Sequence, residues 1–282
     1  MIRKFIYLIV RKLFHTFWYL HKPLVKKNIK YKDIHKGETC LIFGNGASLK
    51  YYDFNAFPKI PAIGCNFSPI DKRMKNVDFR YWVLADSYSL YRYGIDRHKM
   101  KITENIMVQL GKKLFKENRE KILFTNLTNR YGIKNEFKEV SYFYNFGNKD
   151  GTNCDLADNF SACFSSLSAM IGIAKYMGFS KAILVGCDYL GLPRMESHFY
   201  SDKQPFFSKD PLNEYMNSIQ LAANEIDINV ILTKSVTSSP FSYATYEDYF
   251  GVKEKYQENT EFIDEFYIRL LRDASSKNLV YM

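Results

Sequence analysis

The chain has no pair of cysteines two residues apart, no glycine loop closed by Lys-Ser or Lys-Thr, and no Asp-x-Asp. Each absence removes a class. Five cysteines, Cys40, Cys65, Cys154, Cys163 and Cys187, are odd in number and scattered through apolar settings. That excludes a disulfide framework and a cysteine zinc site, and reads as reduced thiols. Without the P-loop signature or a full Gly-x-Gly-x-x-Gly, the common phosphate-binding fingerprints are missing. The nearest approach to a carboxylate pair is Glu225-Ile226-Asp227, which ends an amphipathic helical pattern and reads as a solvated face. No catalytic metal is expected.

Long apolar runs are also lacking at the N-terminus, where Arg11 and Lys12 interrupt the sequence after six apolar residues. A spanning helix needs ~20 such residues, and a signal peptide needs a small-residue cleavage site that is not seen here. What is there instead is charge. The net charge is +10. Arg3, Lys4, Arg11, Lys12, Lys22, Lys26, Lys27, Lys30, Lys32 and Lys36 face one acidic residue, Asp33, in residues 1–36. The rest of the chain is nearly balanced, which argues against a nucleic-acid surface. At about 100° per residue, Lys4, Arg11, His15 and Lys22 fall within roughly 40° of one another. Large apolar residues fill the remainder, with Trp18 and Tyr19 suited to headgroups. The pattern predicts a helix lying on an anionic membrane surface, ended by Pro23 and followed by a basic linker. Residues 1–36 form this segment, and a helix that packs on the body of the protein is the competing reading.

Beyond residue 36, short apolar runs alternate with helical patterns. Strands are predicted at Thr39 to Phe43, Ala62 to Cys65 and Tyr81 to Leu84, and in KILFTNL, KAILVGCDYLG and NVILTKS. Helices are predicted in SLSAMIGIAKYMGFS, ended by Gly178, and in LNEYMNSIQLAANEIDI. Runs apolar on both faces, separated by helices, predict an α/β fold: a Rossmann-like, mostly parallel sheet with helices on both faces. Residues 37–282 form this domain, with a lid or insertion around 87–160 where periodic signals thin out.

In such sheets ligands sit outside the carboxyl ends of the strands. The first strand runs into Gly44-Asn45-Gly46-Ala47-Ser48, whose glycines allow backbone N–H groups to approach an anion. The second ends at Asn66, the third at Asp86, and KAILVGC at Asp188-Tyr189, all suited to base or ribose. His198, in ESHFYSDKQPFF, is the histidine nearest that edge in sequence, with an ordinary pKa matched to proton transfer near neutrality.

With LIFGNGASL, GCNFS, the small-residue helix from Ser165 to Met177, Gly178, KAILVGCDYL and His198 in that order, the chain resembles the bacterial sialyltransferases of glycosyltransferase family 42. It also resembles the related motility-associated, flagellin-modifying nonulosonate transferases and a pterin pyrophosphokinase. The resemblance covers roughly residues 38 to 240. It implies a CMP-sugar donor as substrate, no cofactor and no metal. It further implies that Gly44, Asn45, Gly46 and Ser48 bind the cytidine phosphate, Asn66 the nucleotide, and Ser165 and Ser166 the donor, with His198 as general base. Tyr189 and Tyr200 match the family's two phosphate-binding tyrosines loosely. Asp86 stands where the family has Asn, and Cys163 where it has Arg. The expected acceptor is a cell-surface glycan or glycolipid, and the expected location is the cytoplasmic face of the inner membrane. Homo-oligomerisation stays open. A diphosphate-transferring kinase and a non-catalytic membrane-bound scaffold are the alternative readings.

Overall fold

All six predicted strands come together in the middle of one sheet because most of their residues are buried. The computed structural model describes residues 16–96, 101–133, 137–145, 153–211 and 216–276. Eight strands pair in the order β12-β11-β8-β1-β2-β3-β6-β7. They are β1 (Thr39–Phe43), β2 (Pro61–Cys65), β3 (Asp78–Leu84), β6 (Ile122–Asn126), β7 (Glu139–Phe143), β8 (Lys181–Val185), β11 (Asp227–Leu232) and β12 (Ser242–Thr245). Every pairing among them is parallel. Alternate residues serve opposite cores, as the two-residue period of a strand requires. Cys40 and Ile42 pack beneath α3 (Ser166–Tyr176) and α4 (Met216–Ala222), whereas Leu41 and Phe43 belong to the opposite core with residues of α2 (Ile106–Glu117) and α7 (Glu265–Ser276). Two short antiparallel hairpins, β4 (Tyr93–Asp96) with β5 (Lys101–Glu104) and β9 (Arg194–Glu196) with β10 (Phe206–Ser208), lie outside the sheet.

The N-terminal segment differs from expectation. A helix, α1, is described over residues 16–26 and continues through Pro23 rather than stopping there. Beyond it, Val25 is fully buried with Leu127 and Tyr144, and Leu24 packs against them, which offsets the hydrogen bond a proline cannot make. Of the two aromatics suited to headgroups, Trp18 packs against the Val25, Leu127 and Tyr144 cluster, whereas Tyr19 stays exposed. Lys22 lies 4.4 Å over the Trp18 ring and 3.3 Å from Asp158. The basic stretch that follows is no linker. Asn28 is buried and donates to the carbonyls of Tyr142 and Leu156 while accepting from Ser141. The N–H groups of Asp33, His35 and Gly37 cover the carbonyls of Tyr176, Met177 and Gly178 at the end of α3. Amphipathicity shows that an apolar face must be covered, not by what. Lys4, Arg11 and His15 lie outside the described residues. Among those described, no helix is long and apolar enough to cross a membrane.

Residues 87–160 are mostly not an insertion. They supply β6, β7 and α2 to the sheet and its core, leaving the β4–β5 hairpin as the outlying part. The edge strand β12 and the short C-terminal helices α5 (Tyr246–Phe250) and α6 (Asn259–Phe262) carry too little apolar pattern to be read in advance, whereas α7, which buries Tyr267, Ile268, Leu271 and Ala274 along one face, is amphipathic and absent from the sequence expectation.

Candidate functional site

From β1 the chain moves steadily to β2, β3, β6 and β7, then crosses back through α3 to β8 on the other side of β1. The two central strands therefore diverge in their connections, and the crevice beyond their carboxyl ends is the place where an open α/β sheet takes a ligand.

The loops that leave β1 and β8 are locked together. Gly44 N–H donates to Val185 O and Gly46 N–H to Gly186 O, both at 2.8 Å. A Cβ on Gly44 would stand 2.3 Å from Gly186 O, and one on Gly46 would stand 2.4 Å from Asp188 Oδ2. Asp188 accepts from Ser48 N–H at 2.8 Å and from Ser48 Oγ. Both side chains are buried, and loss of water around the Asp188 carboxyl pushes its pKa up to about 6. The glycines thus serve the approach of two protein loops, with these N–H groups spent on carbonyls rather than held for an anion. Ser48 and Asp188 form a brace beneath the crevice.

Beside this brace is the N-terminus of α3. Ser165 caps it, accepting from Ser168 N–H at 3.1 Å while Ser168 Oγ accepts from Ser165 N–H at 2.9 Å. Asn66 joins the end of β2 to this helix start: its Nδ2 donates to Ser166 Oγ at 3.2 Å, its carbonyl accepts from Trp82 Nε1, and its φ is +46°. Asparagine is among the few residues that adopt this left-handed conformation at low cost. Asn45 is held from the same side, accepting from Ser68 Oγ at 3.1 Å and reaching the Cys65 carbonyl at 3.4 Å. A cavity of about 290 Å³ opens at the ends of β2 and β3, lined by Asn66, Phe67, Asp86, Ser87, Ser89 and Asn105 among others. Asp86 is open to solvent in this cleft, yet the protein crowded around it raises its carboxyl pKa.

His198 reaches the crevice on the 197–205 loop between β9 and β10. Its backbone forms an antiparallel bridge with Gly46, and Phe199 N–H donates to Asn45 O at 3.1 Å. The imidazole is half-buried and stacks on Tyr200, ring centroids 4.9 Å apart at 14°. Burial lowers its pKa, so the ring is neutral, and able to accept a proton, at neutral pH. Ser197 just before it has φ +113°, a strained setting for a residue with a side chain. Tyr200 is buried, edge-on to Phe67 at 5.1 Å, and its hydroxyl pKa is pushed up by that burial. Tyr189 is part-buried against the α3 core, and Cys163 Sγ meets Phe160 O at 3.3 Å.

The structure therefore gathers Gly44, Asn45, Gly46, Ser48, Asn66, Ser165, Ser166, Asp188 and His198 along one edge, with Asp86 sharing the Asn66 cleft. Sequence reasoning missed Ser68, Ser87, Ser89 and Asn105, small polar residues without a motif. It also missed Lys50 and Asn259, two buried polar side chains behind the His198 loop.

No family model and no curated protein matches the chain. Among solved structures it is similar to the sialyltransferase CST-II in complex with a trisaccharide acceptor and CMP, at 14% identity and TM-score 0.44, over 84% of this chain and 99% of that one. It is also similar to the monofunctional alpha-2,3-sialyltransferase Cst-I from Campylobacter jejuni, at 16% identity and TM-score 0.39, over 85% and 96%.

Proposed function

We propose that this protein is a metal-independent glycosyltransferase that moves a sialic-acid-like or Kdo-type sugar from a CMP donor to a cell-surface glycan. The observation that carries the reading is the bridge between His198 and Gly46. It sets a half-buried imidazole, kept neutral by that burial, at the switch point of the sheet. In the reaction an acceptor hydroxyl attacks the anomeric carbon, the bond from that carbon to the phosphate oxygen breaks, and CMP departs with the electron pair. His198 takes the hydroxyl proton. Charge on the departing phosphate is met by the first turn of α3 and the hydroxyl of Ser166, without a cofactor. Asn45, Asn66 and Asp86 contact the nucleotide, while Ser48 and Asp188 support that edge from below.

Calorimetric titration tests the donor. CMP should bind, with CDP, UDP and ATP weaker by at least tenfold; equal or tighter ATP binding would overturn the reading. Arg3, Lys4, Arg11 and Lys12 are proposed to contact anionic lipid at the cytoplasmic face of the inner membrane, where substrate and enzyme share a surface. Each basic residue at such a surface contributes about 1 kcal/mol. Deleting residues 1–15 should therefore abolish co-sedimentation with anionic vesicles at low salt; unchanged co-sedimentation would exclude the contact.

A further inference from the structure

A general base must be held to within about 0.5 Å of its productive position, and loops do this less well than helices or strands. His198 sits on a loop with a strained residue before it, so something must fix the other side. Two buried donors do so. Lys50 is 1% exposed, and its Nζ donates at 2.7 Å to the carbonyl of Ser201. Asn259 is 3% exposed, and its Nδ2 donates to the carbonyl of Tyr200 at 3.1 Å and to Asp202 Oδ1 at 3.0 Å. These are consecutive carbonyls, two and three residues after His198, in a turn that Ser201 N–H closes onto the His198 carbonyl at 3.0 Å.

The placement of Lys50 is costly. Among the described residues it has no carboxylate within ion-pair distance, and burial lowers its pKa. A lysine buried merely to fill space would be better replaced by an apolar residue, so its ammonium has a task at the Ser201 carbonyl. Lys50 also lies in the 3₁₀ turn (Ala47–Tyr51) that begins at the Ser48–Asp188 brace. The C-terminal segment is laced to the same turn, with Gln257 N–H donating to Lys50 O at 2.8 Å and Arg73 bridging Leu49 O and Gln257. Arg272 completes the outer side by pairing with Asp202 at 2.6 Å.

We infer that Lys50 and Asn259 are positioning residues that clamp the His198 loop from behind, making the C-terminal segment part of the catalytic apparatus. This inference rests on the reading of His198 as the base. Neither side chain touches a ligand. Both act on the carbonyls that follow the imidazole, and the Lys50 arm ties the loop a second time to the segment whose Gly46 already bridges His198. The clamp stiffens the one element of the edge that carries chemistry and is not a strand or helix.

The experiment measures kcat, KM and CMP affinity for Asn259→Ala and Lys50→Met in the full chain, together with NMR titration of the His198 ring. That ring signal is assigned by its loss in His198→Gln. A loosened loop should lower kcat by on the order of 10- to 100-fold, since misplacement by an ångström costs that much. CMP affinity should stay within about twofold, and the His198 ring should titrate upward, toward ordinary imidazole behaviour, as water gains access. If one variant fails to fold, the other carries the test. Unchanged kcat and ring titration in the folded variant would overturn the clamp, as would a loss of CMP affinity matching the loss of kcat. The titration reads the loop without turnover, so it separates failure of the clamp from failure of His198 as the base.

Discussion

The two loops that meet at the Gly46–His198 bridge are built on opposite principles. The 44–48 loop satisfies itself: two glycine N–H groups go to β8-side carbonyls, and Ser48 gives both its N–H and its hydroxyl to Asp188. The 198–202 loop is held from outside, its backbone by Asn45, Lys50 and Asn259 and its Asp202 by Asn259 and Arg272, and leaves an imidazole half-exposed. Glycines at a strand end therefore mark close approach of chain to chain here, while the proposed base comes from a segment with no motif. The division predicts that damage to the first loop is read as stability and damage to the second as turnover.

The sharpest separation should come from His198→Ala. Losing a general base costs roughly 10²–10⁴-fold in turnover, and CMP affinity and melting temperature should barely move. In the wild type, burial lowers the imidazole pKa, so turnover should fall on the acid side only below the usual 6.5 of a free histidine. Full activity in the variant, or an acid limb well above 6.5, would remove His198 from the chemistry. Gly44→Ala should show the reverse. Its Cβ would sit 2.3 Å from a backbone carbonyl oxygen, which no side-chain rotation relieves. A cost of about 3 kcal/mol in urea unfolding is expected, the upper range for overpacking a rigid site. A variant as stable as the wild type would mean that the two loops part easily, and the contrast between them would fail.

How much of this was legible depends on whether a residue's partner lies nearby in sequence. β1 was read with its observed bounds, Thr39–Phe43, because burial on both faces leaves a continuous apolar run. α3 was equally plain, from its serine cap to Gly178. The role of Asn28 was not, since its acceptors lie 114 and 128 residues away. Lys50 reads as an ordinary surface lysine until the Ser201 carbonyl, 151 residues on, is folded over it. The same limit explains the glycines: GNGAS announces a tight backbone, but whether its N–H groups meet phosphate or Gly186 depends on the neighbouring strand. β12 was missed because none of its residues is buried and two are exposed, as suits a sheet edge.

The smallest effect refines the comparison by asking what the self-satisfied loop costs. Asp188 has its pKa raised to about 6 in the folded protein, mainly because its carboxyl has lost water, against the 3.8 of an exposed aspartate. A raised folded pKa means that the folded state holds the proton more tightly, so stability falls as pH rises from about 4 to about 6 and is level above. At 1.36 kcal/mol per unit, the two-unit shift caps the effect at about 3 kcal/mol. Asp188→Asn removes the charge and keeps the shape. Its Oδ1 can still accept from Ser48 N–H, while its Nδ2 donates to the Ser48 hydroxyl, which turns from donor to acceptor. Urea unfolding of both proteins from pH 4.5 to 8 cancels every other titrating group in the difference. The variant should gain on the wild type as pH rises to 6 and hold that gain beyond it. A difference flat with pH would show that the carboxylate is not under strain. A difference of opposite slope would show that hydrogen bonds from the 47–48 backbone outweigh its lost water, and that the loop is braced by charge instead of in spite of it.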